Sequence, residues 1–102
     1  MANTFKNFTS SSVGTNETTT YICPPSTTTV TIGLNVSNTA SSQIKVTVKA
    51  AGVHIVKDVP IPAESALSVL DGKIILESSD SITVTSDTAA SADVVLSILE
   101  QT

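Results

Sequence analysis

The sequence has no tryptophan, no arginine, one cysteine, one histidine and only three aromatic side chains. Sites that bind nucleic acid or phosphate depend on clustered lysines and on the forked guanidinium group of arginine. With five lysine residues against nine acidic ones and a net charge of −4, the chain is not expected to bind nucleic acid. The single cysteine, Cys23, excludes a disulfide within the chain, and we interpret it as a small buried residue.

Long apolar runs are missing too. No stretch of about eighteen apolar residues is present to cross a bilayer. The N-terminus has neither the basic start nor the apolar segment of a signal peptide. We therefore expect no membrane partner and a protein that is made in a cytoplasm.

The sequence contains no recognisable catalytic or ligand-binding motif. A serine or threonine nucleophile needs a positioned base, and His54 is the only histidine. In the segment GVHIV, alternation places His54 opposite Val53 and Ile55, on the solvent side. The carboxylates fall at predicted turns and strand ends, where they usually serve solubility, although a carboxylate pair for acid–base chemistry stays an alternative. The four glycines are isolated, so no phosphate loop is predicted. We expect no enzyme, no cofactor and no metal.

The residues that are abundant favour extended backbone. Serine and threonine make up nearly a third of the chain, and the hydrophobic 40% is mostly valine, isoleucine, leucine and alanine. Branching at Cβ stiffens valine, isoleucine and threonine and suits them to strands. At 102 residues the chain is long enough for one domain with a single core. This composition predicts an all-β protein.

From Thr18 onward, apolar and polar residues alternate nearly to the end, which is the pattern of strands with one buried face. We count seven or eight strands at intervals of eight to twelve residues, with Asp71-Gly72 as a tight turn. That rhythm predicts an antiparallel β-sandwich, immunoglobulin-like or jelly-roll-like. The expected shared core consists of Val30, Ile32, Val46, Val48, Ile82, Val84 and Leu96.

The first seventeen residues differ from the rest in composition and pattern, because they are polar and show no hydrophobic periodicity. We therefore predict two parts, an extended N-terminal arm over residues 1–17 and a β-sandwich domain over residues 18–102. Phe5, Phe8 and Val13 are the predicted partner-binding residues of the arm, which would add a strand to a neighbouring subunit or insert side chains into its pockets. The alternative is a loose terminus.

Several blocks of the sequence resemble a known family. ANTFKN follows the first residue, TTYICPPSTTTVTIGLNVSN spans residues 19–38, PIPAESAL spans residues 60–67, and SADVVLSILE spans residues 91–100. The chain resembles, over nearly its whole length, small virion structural proteins of tailed bacteriophages that infect marine and freshwater bacteria, including cyanobacteria. The blocks consist mostly of scaffold and turn residues.

The resemblance implies a non-enzymatic virion protein, present in many copies and assembled in the host cytoplasm. Its expected partners are copies of itself and other virion proteins, either the major capsid protein or neck and tail proteins. The first expectation is a capsid decoration or cement protein whose arm docks on neighbouring subunits. The alternative is a tail, neck or baseplate component or a fibre-attachment module. Third comes a carbohydrate-binding β-sandwich, for which the sequence offers no tryptophan and only Tyr21 as a stacking platform.

Overall fold

The structure is a computed structural model that describes residues 3–69 and 74–102. This part of the chain contains nine strands and no helix of the length and apolar character needed to span a membrane. The strands are β1 (Asn3–Val13), β2 (Thr18–Ile22), β3 (Thr28–Asn38), β4 (Ile44–Ala50), β5 (Val53–Ile61), β6 (Ala66–Ser68), β7 (Ile74–Leu76), β8 (Ser81–Ser86) and β9 (Ala92–Gln101). The turn predicted at Asp71-Gly72 lies outside the described residues.

The strands form two antiparallel sheets that face each other across one core. The five-stranded sheet has the order β1-β9-β3, with the two short strands β6 and β7 both paired to the remaining edge of β3. The four-stranded sheet has the order β2-β8-β4-β5. The predicted all-β antiparallel sandwich is confirmed, and the additional strand is β1.

The core lies between the two sheets and is almost entirely aliphatic. Each central strand contributes every second side chain, as alternation requires; Leu96 of β9 and Val46 of β4, for example, are fully buried. Five of the seven predicted core residues are confirmed, since none of them is exposed: Val46, Val48, Ile82, Val84 and Leu96. The other two, Val30 and Ile32, were predicted wrongly.

A β-bulge in β3 explains both errors. The pairing of β3 with β9 slips between Thr31 and Gly33, so one extra residue, Ile32, reverses the inward parity of the strand. On the N-terminal side of the bulge, the buried side chains of β3 are Thr29 and Thr31. On its C-terminal side, every second side chain is buried, beginning with Leu34. Ile32 is consequently 45% exposed.

The hairpin between β4 and β5 turns through two residues. Ala50 pairs with Val53, and the residues between them, Ala51 and Gly52, have φ angles of 52° and 78°. Positive φ at both central positions defines a type I′ turn, whose twist matches that of the flanking strands. Ala51 and Gly52 therefore form a tight reversal of the chain.

Candidate assembly surface

The predicted arm is not confirmed as a separate segment, because residues 3–13 form the edge strand β1 of the five-stranded sheet. β1 runs antiparallel to β9 of the same chain, from Asn3 opposite Gln101 to Val13 opposite Ala92, with an irregularity between Ser10 and Val13. The physical reason is the long, regular β9, whose backbone groups on that side find their partners in β1.

The three residues predicted to bind a partner have different environments. Phe5 is 74% exposed, whereas Val13 is 2% exposed and belongs to the core. Phe8 is half-buried against the core, and its ring centroid lies 4.7 Å from that of Tyr21. Only Phe5 presents its ring to solvent, so among the three it is the one available for contact with another molecule.

The inward side of β1 contacts both sheets through a chain of polar side chains that begins at the half-exposed Lys6 and continues through buried residues. Lys6 Nζ lies 2.9 Å from Glu100 Oε1, and the Tyr21 hydroxyl donates a hydrogen bond of 2.7 Å to Glu100 Oε2. Because the hydroxyl proton of Tyr21 is used in the bond to Glu100, Thr29 Oγ1 donates to the Tyr21 oxygen, at 2.7 Å. Cys23 Sγ in turn lies 3.2 Å from Thr29 Oγ1. The chain therefore joins strands from the two sheets and β1 into one connected network.

These contacts shift two acid–base equilibria in the network. Hydrogen bonds from Tyr21 and then from Lys6 hold the pKa of Glu100 below its ordinary value, because both favour the carboxylate. Burial raises the pKa of Tyr21, since desolvation disfavours the phenolate. Glu100 is thus an ionised acceptor and Tyr21 a neutral donor.

The outward side of the five-stranded sheet, called the outer face below, carries an apolar row across four strands. Phe5 of β1 lies opposite Leu99 of β9, Leu99 lies opposite Val30 of β3, and Val30 lies opposite Ile75 of β7. Residues opposite one another in neighbouring strands project to the same side. Phe5 and Ile75, at the two ends of the row, are 74% and 56% exposed.

Parallel to this row, the outer face continues with small and mostly uncharged side chains. A second row joins Asn7, Ser97 and Gly33. Gly33 is bordered by open space, since an added Cβ would meet nothing within 4 Å, and a shallow depression lies over it. Two further rows are likewise without charge: Thr9, Val95, Asn35 and Ser68, and then Asn3, Gln101 and Thr28. The last row joins Asp93, Ser37 and Ala66, and the exposed Asp93 carries the one charge on this face among the described residues.

The opposite side of the sandwich, the outward side of the four-stranded sheet, is charged. Lys49 Nζ lies 3.5 Å from Glu17 Oε2. On the same strand, the Thr47 hydroxyl is hydrogen-bonded to Asp58. Asp87 accepts a hydrogen bond from the backbone nitrogen of Lys45 at 3.0 Å, and this bond is the main cause that lowers the pKa of Asp87. The two outward sides of the molecule therefore differ sharply in polarity.

The described residues offer no arrangement suited to holding a metal ion. They contain no group of three or more histidine, cysteine or acidic side chains placed to hold a metal, and each of their buried side-chain nitrogen and oxygen atoms has a hydrogen-bond partner. His54 is exposed on β5 and Cys23 is buried, as the sequence predicted. Tyr21, the one stacking platform considered for carbohydrate, is 3% exposed and cannot stack on a ligand from this position.

Comparison with known proteins identifies a fold and no family. No protein-family model matches the sequence, and no curated protein does so either. Among solved structures, a chain from Bacillus endospore appendages, described as a novel family of disulfide-linked pili, matches with a TM-score of 0.56. The match covers 99% of this chain and 87% of that chain at 11% sequence identity. At this identity the likeness concerns the fold alone.

Proposed function

We propose that this protein is a non-enzymatic structural subunit of a bacteriophage particle and that the outer face of its five-stranded sheet contacts other subunits. The observation that carries the proposal is the apolar row from Phe5 to Ile75, on a face whose one charge among the described residues, Asp93, lies three rows away. Large apolar side chains grouped on one exposed surface mark sites of contact with other proteins.

The composition and size of the outer face suit a protein partner. Centres of protein interfaces are depleted in charged residues and enriched in aromatic ones, which describes the surroundings of Phe5. The two longer dimensions of the molecule, 45 and 21 Å, bound this face at roughly 900 Å², close to the ~800 Å² that each partner contributes to a standard interface.

The likeness to a pilus protein adds support at the level of architecture. A fold of this kind is used by a protein of Bacillus endospore appendages, which are described as pili, so the fold is compatible with repeated assembly. Those pili are described as disulfide-linked, whereas the only cysteine of this chain, Cys23, is buried. We therefore infer an assembly held by surface contacts rather than by disulfides.

The virion setting rests on the sequence resemblance to phage structural proteins. Within the particle, the first proposal is a decoration or cement protein bound to the major capsid protein, because a face of this size suits contact with a shell surface. The alternative is a neck, tail, baseplate or fibre-attachment component. The carbohydrate-binding alternative loses support because Tyr21 is buried.

Quantitative mass spectrometry of purified phage particles tests this function. A decoration protein is expected in copy numbers comparable with those of the major capsid protein, and a neck or tail component in a small fraction of them. Absence of the chain from purified particles would overturn the proposal.

A pair of variants connects incorporation to the outer face. Ile75→Lys places a charge in the apolar row, whereas Val53→Lys alters a side chain of similar exposure, 68% against 56%, on the other sheet. Burial of an unpaired lysine costs more than the ~1.4 kcal/mol that equals a factor of ten in affinity. We expect Ile75→Lys to lower incorporation at least tenfold and Val53→Lys to leave it unchanged; equal incorporation of the two would contradict the assigned face.

A further inference from the structure

The edges of the two sheets are protected to different degrees. On the four-stranded sheet, edge strand β5 contains Pro60, which has no N–H to offer, and its pairing with β4 is interrupted by irregularities. It also carries Lys57 and Asp58, the latter with a φ of 50°. Proline, bulges and charges are the devices by which proteins prevent a sheet edge from pairing with another strand.

Edge strand β1 has almost none of this protection. Its pairing with β9 is regular from Asn3 to Ser10, and this stretch contains no proline and a single charge, Lys6. The Lys6 ammonium is paired with Glu100 on the inward side, so it opposes an added copy of β1 only in a register that places two Lys6 residues opposite each other. A long, regular strand with one unpaired side is a template for an additional strand.

We propose that the open edge of β1 pairs with β1 of a second copy of this chain, antiparallel, around a two-fold axis at Asn7. This inference deepens the proposed structural function, on which it rests, by naming one partner and the contact. It joins two five-stranded sheets into one continuous sheet and leaves the outer faces of both copies available to further subunits.

The alternation of the strand restricts the possible registers. Opposite residues in an antiparallel pair project to the same side, and in β1 Phe5 and Asn7 project outward while Lys6 and Phe8 project inward. An outward residue must therefore lie opposite an outward residue, so the axis passes through a residue and not between two. A slip by one position would place the outer face of one copy beside the inner face of the other.

Charge repulsion and the number of paired residues select Asn7 among the possible positions of the axis. An axis at Lys6 places two lysines directly opposite each other, which is destabilising. An axis at Phe5 pairs only Asn3 to Asn7, and one at Phe8 only Lys6 to Ser10 before the irregularity in β1. An axis at Asn7 pairs the longer stretch from Thr4 to Ser10 and opposes no like charges.

The side chain of Asn7 is suited to an axial position. Its Oδ1 accepts a hydrogen bond of 2.8 Å from the Ser97 hydroxyl, which orients the amide and leaves its NH₂ group to donate across the axis. Paired strands over this stretch form a contact about 23 Å long, given ~3.3 Å per residue. Because such a contact is smaller than a standard interface, we expect reversible dimers that appear with rising concentration.

Cysteine cross-linking tests the register. Opposite residues have Cα atoms about 4.5–5.5 Å apart, within the range of a disulfide, so Asn7→Cys should cross-link under mild oxidation. Phe5→Cys serves as a control on the same strand, because its two copies would be roughly 13 Å apart along the strands. His54→Cys is the control on β5; buried Cys23 is common to all three variants.

We expect Asn7→Cys to form covalent dimers at least tenfold faster than either control. Similar rates for all three variants would indicate random collision, and no dimer from Asn7→Cys would exclude the register; either result overturns the proposal.

A charge variant tests the pairing without covalent chemistry. Asn7→Lys would oppose two lysines at the axis, so light scattering should show monomers at concentrations where the unchanged protein and Val53→Lys form dimers. Matching thermal midpoints establish that all three proteins are folded. Dimers of unchanged stability from Asn7→Lys would contradict the pairing.

The two proposals fail separately. If the chain is abundant in particles but Asn7→Cys does not cross-link, the β1 pairing is wrong and the structural function stands. If Asn7→Cys cross-links but the chain is absent from particles, the pairing stands and the virion function is wrong.

Discussion

At the scale of single residues, Glu100 has the largest role outside the aliphatic core. Its carboxylate is 6% exposed, yet it accepts from Tyr21 and pairs with Lys6. Buried carboxylates are tolerated when their oxygen atoms are satisfied in this way. Glu100 thereby ties β1, β2 and β9 together at one end of the sandwich.

Acidic pH should weaken the contacts that Glu100 makes with Tyr21 and Lys6. The pKa of Glu100 is lowered from its ordinary value of 4.5 in the folded protein, so its contribution to stability is complete above that value and is lost as the pH falls through the folded pKa. We expect Glu100→Gln to lower the unfolding free energy by about 1–2 kcal/mol at pH 7. Its denaturation midpoint should also fall less steeply from pH 5 to pH 3 than that of the unchanged protein.

Urea denaturation at several pH values measures both effects. Asp87→Asn is the matched control, because the pKa of Asp87 is also lowered but the group is exposed and bonds to the backbone of Lys45 in β4, with no part in the contacts of Glu100. Identical pH profiles for Glu100→Gln and the unchanged protein would contradict the assigned role of Glu100.

Ala51 is a residue whose conformation the sequence does not favour. Its φ of 52° places it in the left-handed region, which disfavours alanine by about 1–2 kcal/mol. Asparagine tolerates this region and precedes glycine in the preferred type I′ hairpin. We expect Ala51→Asn to raise the free energy of unfolding by about 0.5–1 kcal/mol, measured by urea denaturation, and a destabilised variant would be the contrary outcome.

At the scale of elements, the bulge in β3 decides which side chains reach the core. Val30 and Ile32 were expected inside with Leu34, but the extra residue at Ile32 turns Thr29 and Thr31 inward instead. The buried hydroxyls are satisfied; Thr31 Oγ1, for example, donates to the Ile74 carbonyl at 3.0 Å. Strict alternation cannot reveal the change, because threonine and isoleucine fit a strand equally well.

Two truncations distinguish the bulged strand from a regular one. Leu96→Ala removes a side chain with no exposed area and should lower the free energy of unfolding by about 2–5 kcal/mol. Ile32→Ala removes one that is 45% exposed and should cost less than about 1 kcal/mol. Equal losses in urea denaturation would mean that Ile32 points into the core.

Edge strand β1 changes the expected result of an N-terminal truncation. A separable arm would leave a folded module when residues 1–17 are removed. In the structure, removal deletes Val13 from the core and leaves β9 without its partner strand. We expect the truncated chain to be strongly destabilised and prone to aggregation, as measured by its thermal midpoint and its soluble yield. A truncated chain of unchanged stability would support a separable arm.

The sequence predicts well the strands in which apolar and polar side chains alternate, and it predicts β1 poorly. Strands β4, β8 and β9 combine alternation with apolar side chains, so their core residues could be predicted. β1 has mostly polar side chains on both sides, and its position depends on contacts with residues about ninety positions away, such as Asn7 with Ser97. The apolar row of the outer face could not be predicted either, because it comes from four strands whose order in the sheet the sequence does not give.

At the scale of the whole molecule, most charged side chains of the strands lie on the side of the sandwich opposite the exposed apolar row, with Asp93 as the exception. Strand pairing through the open edge of β1, in the register centred on Asn7, opposes no like charges and has little to lose to screening by salt. We therefore expect the dimer fraction, measured by light scattering, to change less than about twofold between 50 and 500 mM salt, because no ion pair crosses the proposed contact. Dissociation at high salt would instead indicate a contact through the charged side.

The protection of β5 determines where growth of such an assembly ends. In the five-stranded sheet, the edge opposite β1 consists of the three-residue strands β6 and β7, which are too short to seat a strand like β1. Once two copies have joined through β1, neither sheet presents another long, regular edge among the described residues. Sheet extension through the proposed pairing is therefore self-limiting: it closes at a symmetric pair instead of propagating as a fibril, so concentrated protein can accumulate without polymerising.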